Sequence, residues 1–165
     1  MKKFNIFVLA ALLAALPLAA AAEEGEDATS ETTGSEVPGA EFLAAELRRI
    51  GLEPTIETFG DRHANVWAVV EGKRPEALVL HNHIDVSPID HPEAWDYDPF
   101  GAEIDQAWIY GRGVFDMKSL AIVQLLTVEK IVQSGVRPEK SIVFLATGSE
   151  EVGSEMGTRW VLEQH

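Results

Sequence analysis

The chain has 165 residues, which is room for one domain with a substantial hydrophobic core. Its formal net charge of −14 disfavours nucleic acid and anionic membrane surfaces as partners. It contains no cysteine, which excludes disulfides, thiolate zinc sites and cysteine nucleophiles, so any metal ion must be held by His, Asp or Glu.

The first 22 residues have the features of a secretory signal peptide. Two lysines precede an apolar run at 4–19, and the alanines at 20–22 suit a cleavage site. A membrane anchor is the alternative, although the run is short for a transmembrane helix. We therefore expect an exported protein, periplasmic or secreted, that has no stable membrane association after cleavage.

The rest of the chain alternates between helical and strand patterns. Residues 23–39 are rich in Glu, Ser, Thr and Gly and are predicted to be a linker. Apolar residues from Phe42 to Ile50 recur at helical spacing, and Gly51 is a typical helix stop. The later predicted elements are strands at 54–59, 65–70 and 77–80, a loop at 87–113 with short β pieces near 104 and 109, a helix at 117–134, a strand at 141–147 and a helix from 157. This order of helices and strands indicates an α/β sandwich in which helices cover a sheet.

A histidine and an aspartate follow the apolar strand at 77–80. His83 and Asp85 are two residues apart, so in an extended chain their side chains face the same side. His83 can then bind a metal ion while Asp85 accepts the other imidazole N–H and fixes the tautomer. A strand-end histidine with a purely local hydrogen bond is the alternative.

Two further acidic segments follow at comparable intervals. Asp116 comes after Gly111-Arg112-Gly113 and is either a helix N-cap or a carboxylate that bridges two cations. Glu150 and Glu151 follow the strand at 141–147, where ligand sites of α/β sheets gather. They form either a solvated acidic loop or a divided pair, with one metal ligand and one base for a water molecule. Taken together, the three segments predict the site of a metal-dependent hydrolase.

Five motifs carry a resemblance to a known family: His83-Ile84-Asp85-Val86-Ser87-Pro88, Trp95 with Asp98-Pro99-Phe100, Gly111-Arg112-Gly113, Asp116-Met117-Lys118 and Glu150-Glu151-Val152-Gly153-Ser154. In order and spacing they resemble the M20 metallopeptidases, which include glutamate carboxypeptidase, acetylornithine deacetylase, succinyl-diaminopimelate desuccinylase and aminoacylase. Residues 157–163 look most like the carboxypeptidase S branch. The resemblance implies a three-layer α/β sandwich with a mixed sheet flanked by helices. Residues 40–165 would be the N-terminal part of that catalytic domain, without its lid and dimerisation domain.

The resemblance also implies a metal-binding role for several residues. His83 would bind one zinc ion, with Asp85 as the partner that orients its ring. Asp116 would bridge two zinc ions and form an unusual cis peptide bond with Met117. Glu151 would bind the second zinc ion. Cobalt or manganese could replace zinc, because nitrogen and oxygen ligands accept several metals.

The implied reaction is hydrolysis of an amide, either the C-terminal bond of a small peptide or an N-acyl amino acid. Glu150 would be the general base that deprotonates the attacking water and passes the proton to the leaving nitrogen. The family's remaining ligands and its lid have no counterpart here, so we expect little or no activity from this chain, as from a fragment. The alternatives are a non-catalytic exported binding module with a vestigial metal site, and a metallohydrolase that completes its site across a homodimer.

The sequence departs from the family pattern at Ser87, Ser119 and Ser149, where valine, glycine and an acid are usual. The remaining histidines are predicted to be surface, loop or chain-end residues: His63, His81, His91 and His165.

Overall fold

The structure is a computed structural model and describes residues 34–165. The predicted signal peptide and most of the predicted linker lie outside the described residues. Within the described part of the chain, no helix is long and apolar enough to cross a membrane.

The first described helix, α1, spans Val37–Arg49 and therefore begins inside the predicted linker. The linker prediction is wrong at its C-terminal end, because Pro38 lies in the first turn of the helix, where a missing N–H is tolerated. The predicted stop is confirmed. Gly51 has φ of 92°, and the N–H of Leu52 donates to the carbonyl of Leu47 at 3.0 Å, as in a Schellman motif.

Within residues 34–165, six strands form a four-stranded mixed sheet and a separate hairpin. The strands are β1 Thr55–Phe59, β2 His63–Val70, β3 Arg74–His83, β4 Glu103–Asp105, β5 Trp108–Tyr110 and β6 Lys140–Thr147. The large sheet has the order β1-β2-β6-β3. β6 pairs antiparallel with β2 and parallel with β3, while β4 and β5 form the small antiparallel hairpin. The parallel pair places the carboxyl ends of β3 and β6 at one edge of the sheet.

Helices cover both faces of this sheet. Helix α2 spans Ser119–Gln133, and helix α3 spans Thr158–Gln164. One buried apolar cluster joins α1 and α2 to alternate residues of β2 and β6, including Val66. The neighbouring Trp67 must face the opposite side, where its ring contacts His165 directly after α3, at a centroid distance of 5.3 Å. The predicted mixed sheet flanked by helices is therefore confirmed.

Two element boundaries differ from the sequence prediction near the site. β3 continues past the apolar residues at 77–80 to His83, because its backbone pairs with β6 as far as Thr147. Helix α2 begins at Ser119 rather than 117, after an irregular segment at Val114–Lys118 in which Asp116 and Met117 have non-helical backbone angles. Both differences lie where polar side chains converge.

Replacing Phe144 with alanine should destabilise the fold strongly. This β6 side chain is fully buried in the apolar cluster between the sheet and the helices, so truncation would leave a cavity. We expect the free energy of unfolding to fall by about 3–5 kcal/mol in urea denaturation. Leu162→Ala in α3, where the leucine is 77% exposed, is the control and should change it by less than about 0.5 kcal/mol.

Candidate metal centre

The candidate site lies at the edge of the sheet where the parallel strands β3 and β6 end. His83, the last residue of β3, pairs with Thr147, the last residue of β6. The next backbone N–H, that of Ile84, donates to the carbonyl of Thr147 at 2.9 Å and keeps the chains together past the strands. The segments carrying Asp85 and the Glu150–Glu151 pair therefore leave the sheet side by side.

His83 is buried, and its two ring nitrogens face different acids. Nε2 lies 3.1 Å from Oδ1 of Asp116 and 4.0 Å from Oε2 of Glu150. Nδ1 lies 3.1 Å from the backbone carbonyl of Asp85 and 3.3 Å from its carboxylate Oδ1. The ring is thus held on its Nδ1 side by Asp85, which leaves Nε2 directed at the other carboxylates.

Asp116 reaches His83 through an irregular backbone and is not a helix N-cap. The N-cap position of α2 is Lys118, and the peptide bond between Asp116 and Met117 is cis, as the resemblance implied. Gly113 turns the chain with φ of 75°, and a Cβ there would overlap the side chain of Val86. The glycine therefore lets the Asp116 segment pass close to the segment that follows β3.

Glu150 and Glu151 lie in a turn at residues 148–154, which we term the acidic turn. The backbone N–H of Glu151 donates to Oδ2 of Asp85 at 2.9 Å. The hydroxyl of Ser87 donates to Oε2 of Glu151 at 2.7 Å. Ser87, one of the departures from the family pattern, thus orients an acid of the site.

Three of the predicted residues form a cluster with metal-binding geometry. One donor atom each of His83, Asp116 and Glu151 lies within 4.8 Å of the other two. An imidazole nitrogen and carboxylate oxygens are a donor set that zinc, cobalt and manganese accept. The residues therefore fit the metal that the resemblance implies. Glu150 lies beside this three-residue cluster rather than in it.

The electrostatics of the site favour positive charge at His83. Burial alone would lower the pKa of His83, but hydrogen bonds and charge from Asp85, with smaller effects of Asp116 and Glu150, raise it to about 9. Burial alone would raise the pKa of Asp85, but hydrogen bonds from His83 and from backbone N–H groups of the acidic turn lower it. The acids surrounding the imidazole thus stabilise a cation at this position.

A cavity of about 260 Å³ adjoins the cluster. Its wall combines two cluster residues with aromatic, cationic and hydroxyl side chains: Asp116, Glu151, Trp95, Phe115, Arg112 and Ser87. The guanidinium of Arg112 lies over the Trp95 ring, 5.4 Å from its centroid. A larger cavity of about 450 Å³ is also lined by Arg112 and Trp95 and contains no residue of the cluster. The smaller of these two cavities is the one that borders the cluster.

Sequence reasoning missed two buried polar residues behind the acidic turn. Glu36 accepts hydrogen bonds from the backbone N–H groups of Ala64 and Ser149, both at 2.9 Å. Asn65 accepts one from the N–H of Gly148 at 3.0 Å. Asn65 was detectable in principle, since a polar residue inside an apolar strand needs a buried partner. No local pattern marks Glu36.

The remaining histidines lie outside the cluster. His63 is only 18% exposed, and its Nδ1 lies 3.0 Å from Oε1 of Glu36, so its prediction as a surface residue is wrong. His81 lies at the surface of β3, with Nε2 3.0 Å from the hydroxyl of Thr147. His91 is exposed beside an acid, and His165 contacts aromatic rings at the chain end.

Comparison with known proteins gives a consistent result. Residues 79–165 match the family described as Peptidase family M20/M25/M40. Succinyl-diaminopimelate desuccinylase of Wolbachia pipientis subsp. Culex pipiens (strain wPip) is 37% identical over 123 residues, which are 74% of this chain and 31% of the relative. The desuccinylase of Hahella chejuensis (strain KCTC 2396) is 34% identical over 123 residues, with 74% and 32% covered. The chain thus spans about a third of the length of these curated relatives.

Solved structures agree with the fold. The M20 family metallo-carboxypeptidase Sso-CP2 from Sulfolobus solfataricus superposes with a TM-score of 0.71 at 22% identity, covering 93% of this chain and 32% of that one. Human carnosine dipeptidase 1 superposes with a TM-score of 0.67 at 18% identity, covering 96% and 34%. At these identities the likeness shows a shared fold.

With metal removed by a chelator, His83 should stabilise the fold most at acidic pH and lose this effect as the pH rises to about 9. Its folded pKa of about 9 lies above the unfolded value of about 6.5. Its contribution is therefore complete below pH ~6.5 and is lost as the pH rises through about 9. We expect the difference in free energy of unfolding between wild type and His83→Gln, measured in urea, to shrink across that window.

The pH dependence of the wild-type stability cannot by itself report the effect of His83, because Lys118 changes the stability with pH in the opposite direction. Burial lowers the pKa of Lys118 to about 8, so the fold gains stability as this lysine loses its charge. The difference between wild type and variant removes this background. His91→Gln is the matched control at an exposed histidine and should leave the stability unchanged at every pH. A difference for His83→Gln that stays constant from about pH 6 to 10 would contradict the prediction.

Proposed function

The chain belongs to peptidase family M20/M25/M40, and on that premise we propose that it hydrolyses amide bonds with the help of divalent metal ions. The observation that carries the proposal is the three-residue cluster, whose donor atoms lie within 4.8 Å of one another. The proposed substrates are small peptides and N-acyl amino acids. The curated relatives are named as desuccinylases, so the proposed N-acyl amino acids include N-succinyl amino acids.

His83, Asp116 and Glu151 would hold the metal, with Asp116 shared between two ions. The bound ions would act as Lewis acids that polarise the amide carbonyl and acidify water. Zinc is the first candidate, followed by cobalt and manganese. Asp85 supports this set twice, because it contacts Nδ1 of His83 and accepts the backbone N–H of Glu151.

Glu150 would move the proton. Its side chain is 47% exposed, and Oε2 lies 4.0 Å from Nε2 of His83, so it is next to the cluster without belonging to it. A carboxylate in that position can accept a proton from the attacking water and deliver it to the leaving nitrogen. Glu151 is oriented by Ser87, whereas Glu150 has the freedom that a proton carrier needs.

The proposed location is the periplasm or the exterior of the cell. It is supported by the composition of residues 1–22, which the structure does not describe. The negative charge of the chain supports a small molecule rather than nucleic acid as the partner.

Glu151→Gln should weaken metal binding by the full chain. The amide removes one anionic ligand, so we expect the Zn²⁺ dissociation constant, measured by isothermal titration calorimetry, to rise by roughly tenfold or more. Glu163→Gln, at an exposed glutamate of α3, is the matched control and should bind Zn²⁺ as wild type does. Equal affinity in both variants would remove Glu151 from the ligand set.

Glu150→Gln should separate metal binding from hydrolysis. We expect the Zn²⁺-loaded wild-type chain to turn over N-acetyl and N-succinyl amino acids slowly, well below the ~10 s⁻¹ typical of enzymes. The reason is that the described residues bring together three ligands, whereas two zinc ions need about three each. Glu150→Gln should keep the metal stoichiometry and lower the rate by about 10²–10⁴-fold.

Chelation should abolish the wild-type rate and leave the fold intact. Hydrolysis that is unaffected by chelation or by Glu150→Gln would contradict the proposal. Tight metal binding without any hydrolysis would favour the alternative of a non-catalytic binding module.

A further inference from the structure

Glu36, the residue before α1, is a buried carboxylate with a full set of partners. It is 2% exposed. Oε2 accepts the backbone N–H of Ala64 at 2.9 Å, and Oε1 accepts the backbone N–H of Ser149 at 2.9 Å. Nδ1 of His63 lies 3.0 Å from Oε1. Because burying a carboxylate is costly unless it is hydrogen-bonded, these contacts account for its place in the interior.

The contact with Ser149 connects Glu36 to the candidate metal centre. Ser149 is buried, precedes Glu150 in the acidic turn, and has a left-handed backbone with φ of 58°. A Cβ on Gly148 would overlap the carboxylate of Glu36, so the backbone of the turn lies directly on this side chain. A left-handed non-glycine residue persists only where its surroundings fix it, and Glu36 is part of those surroundings.

Two buried carboxylates hold the first half of the acidic turn. At its start, Glu36 accepts the N–H of Ser149. Two residues later, Asp85 accepts the N–H of Glu151 at 2.9 Å. The backbone of Glu150 lies between these two hydrogen bonds. The position of the Glu150 backbone, and with it that of the Glu151 side chain, therefore depends on both Glu36 and Asp85.

We infer that Glu36 is a positioning residue that fixes the backbone of the Glu150–Glu151 pair for metal binding and proton transfer. The inference rests on the proposed function, which makes this pair a ligand and a base. Its rival is a purely structural role, in which Glu36 only fastens α1 to β2 through Ala64. The two roles differ in what a substitution at Glu36 does to the metal centre.

Glu36→Gln is the primary variant. It keeps the shape of the side chain but replaces one oxygen by an NH₂ group, which cannot accept a hydrogen bond from a backbone N–H. Either Ala64 or Ser149 is then left without its acceptor. Leu47→Ala, at a fully buried residue of α1, is the control for general destabilisation. His63→Gln is the control for the histidine contact alone, since it leaves both backbone hydrogen bonds in place.

The first measurement is amide hydrogen exchange of the full chain in chelator, which needs no metal. We expect Glu36→Gln to speed exchange across residues 149–151 by roughly tenfold or more while the central strands keep their protection. Leu47→Ala should instead speed exchange across the core without singling out the acidic turn. His63→Gln should exchange as wild type does in this segment.

The second measurement is titration with Co²⁺, which reports both affinity and, through its visible absorption, ligand geometry. We expect Glu36→Gln to bind Co²⁺ roughly tenfold more weakly and with an altered absorption band, as for loss of a group that orients ligands. Leu47→Ala, compared at a temperature where all variants are folded, should match the wild-type affinity and spectrum.

Each outcome decides between the two roles. Wild-type Co²⁺ binding and wild-type exchange at 149–151 in Glu36→Gln would overturn the inference. If the wild-type chain itself binds no Co²⁺, the proposed function fails, while the exchange data still show whether Glu36 holds the turn. If Glu36→Gln does not fold, Glu36→Asp replaces it. That variant keeps both acceptor oxygens but withdraws them by one methylene, and it should bind Co²⁺ at least about threefold more weakly.

Discussion

The site depends on one constraint, the parallel pairing of β3 with β6. Parallel strands end at the same edge of a sheet, so the pairing of His83 with Thr147 brings together two chain segments that are far apart in sequence. The hydrogen bond from Ile84 to Thr147 extends the pairing beyond the strands. A shift of one residue in this register would turn His83 to the opposite face and away from the acids. The buried apolar cluster beneath β6 is what holds the register in place.

The carboxylates at these strand ends carry negative charge, which a nearby positive charge would balance. Asp85, Asp116 and Glu150 all contribute to raising the pKa of His83, so the acids favour a proton on the imidazole. A divalent cation would satisfy the same field more strongly and would compete with that proton for Nε2. Lys118 supplies part of this positive charge: burial lowers the pKa of its ammonium group, the charges of Asp85 and Glu36 act in the opposite sense, and the group donates to the carbonyl of Ile84. The field of the acids thus suits the metal-binding role that we propose.

The sequence was sufficient for the family, the mixed sheet and the residues that meet at the strand ends, because each of these has a local signature. The M20 resemblance is confirmed, and the carboxypeptidase S branch stays a prediction. The partners of Glu36 and Asn65 were not predictable, since Ser149 and Gly148 are distant in sequence and become neighbours only through the sheet. The start of α1 was missed because the residues before it share the composition of a linker.

The division of labour that we propose for Glu150 and Glu151 rests on their neighbours rather than on the acids themselves. Two adjacent glutamates have the same chemistry, so residue type and spacing leave open which is the ligand, and the M20 resemblance implies Glu151. Glu151 receives a hydrogen bond from Ser87 to its carboxylate, and its backbone N–H is bound by Asp85. A ligand needs such restraint, because its geometry must be set before the metal binds. Glu150 projects beside the cluster with a half-exposed side chain, which suits a base because a base must accept a proton at one atom and release it at another. The same turn can therefore supply both proposed roles only if its backbone is fixed while one side chain stays exposed, which is the arrangement that the hydrogen bonds of Glu36 to Ser149 and of Asp85 to Glu151 provide.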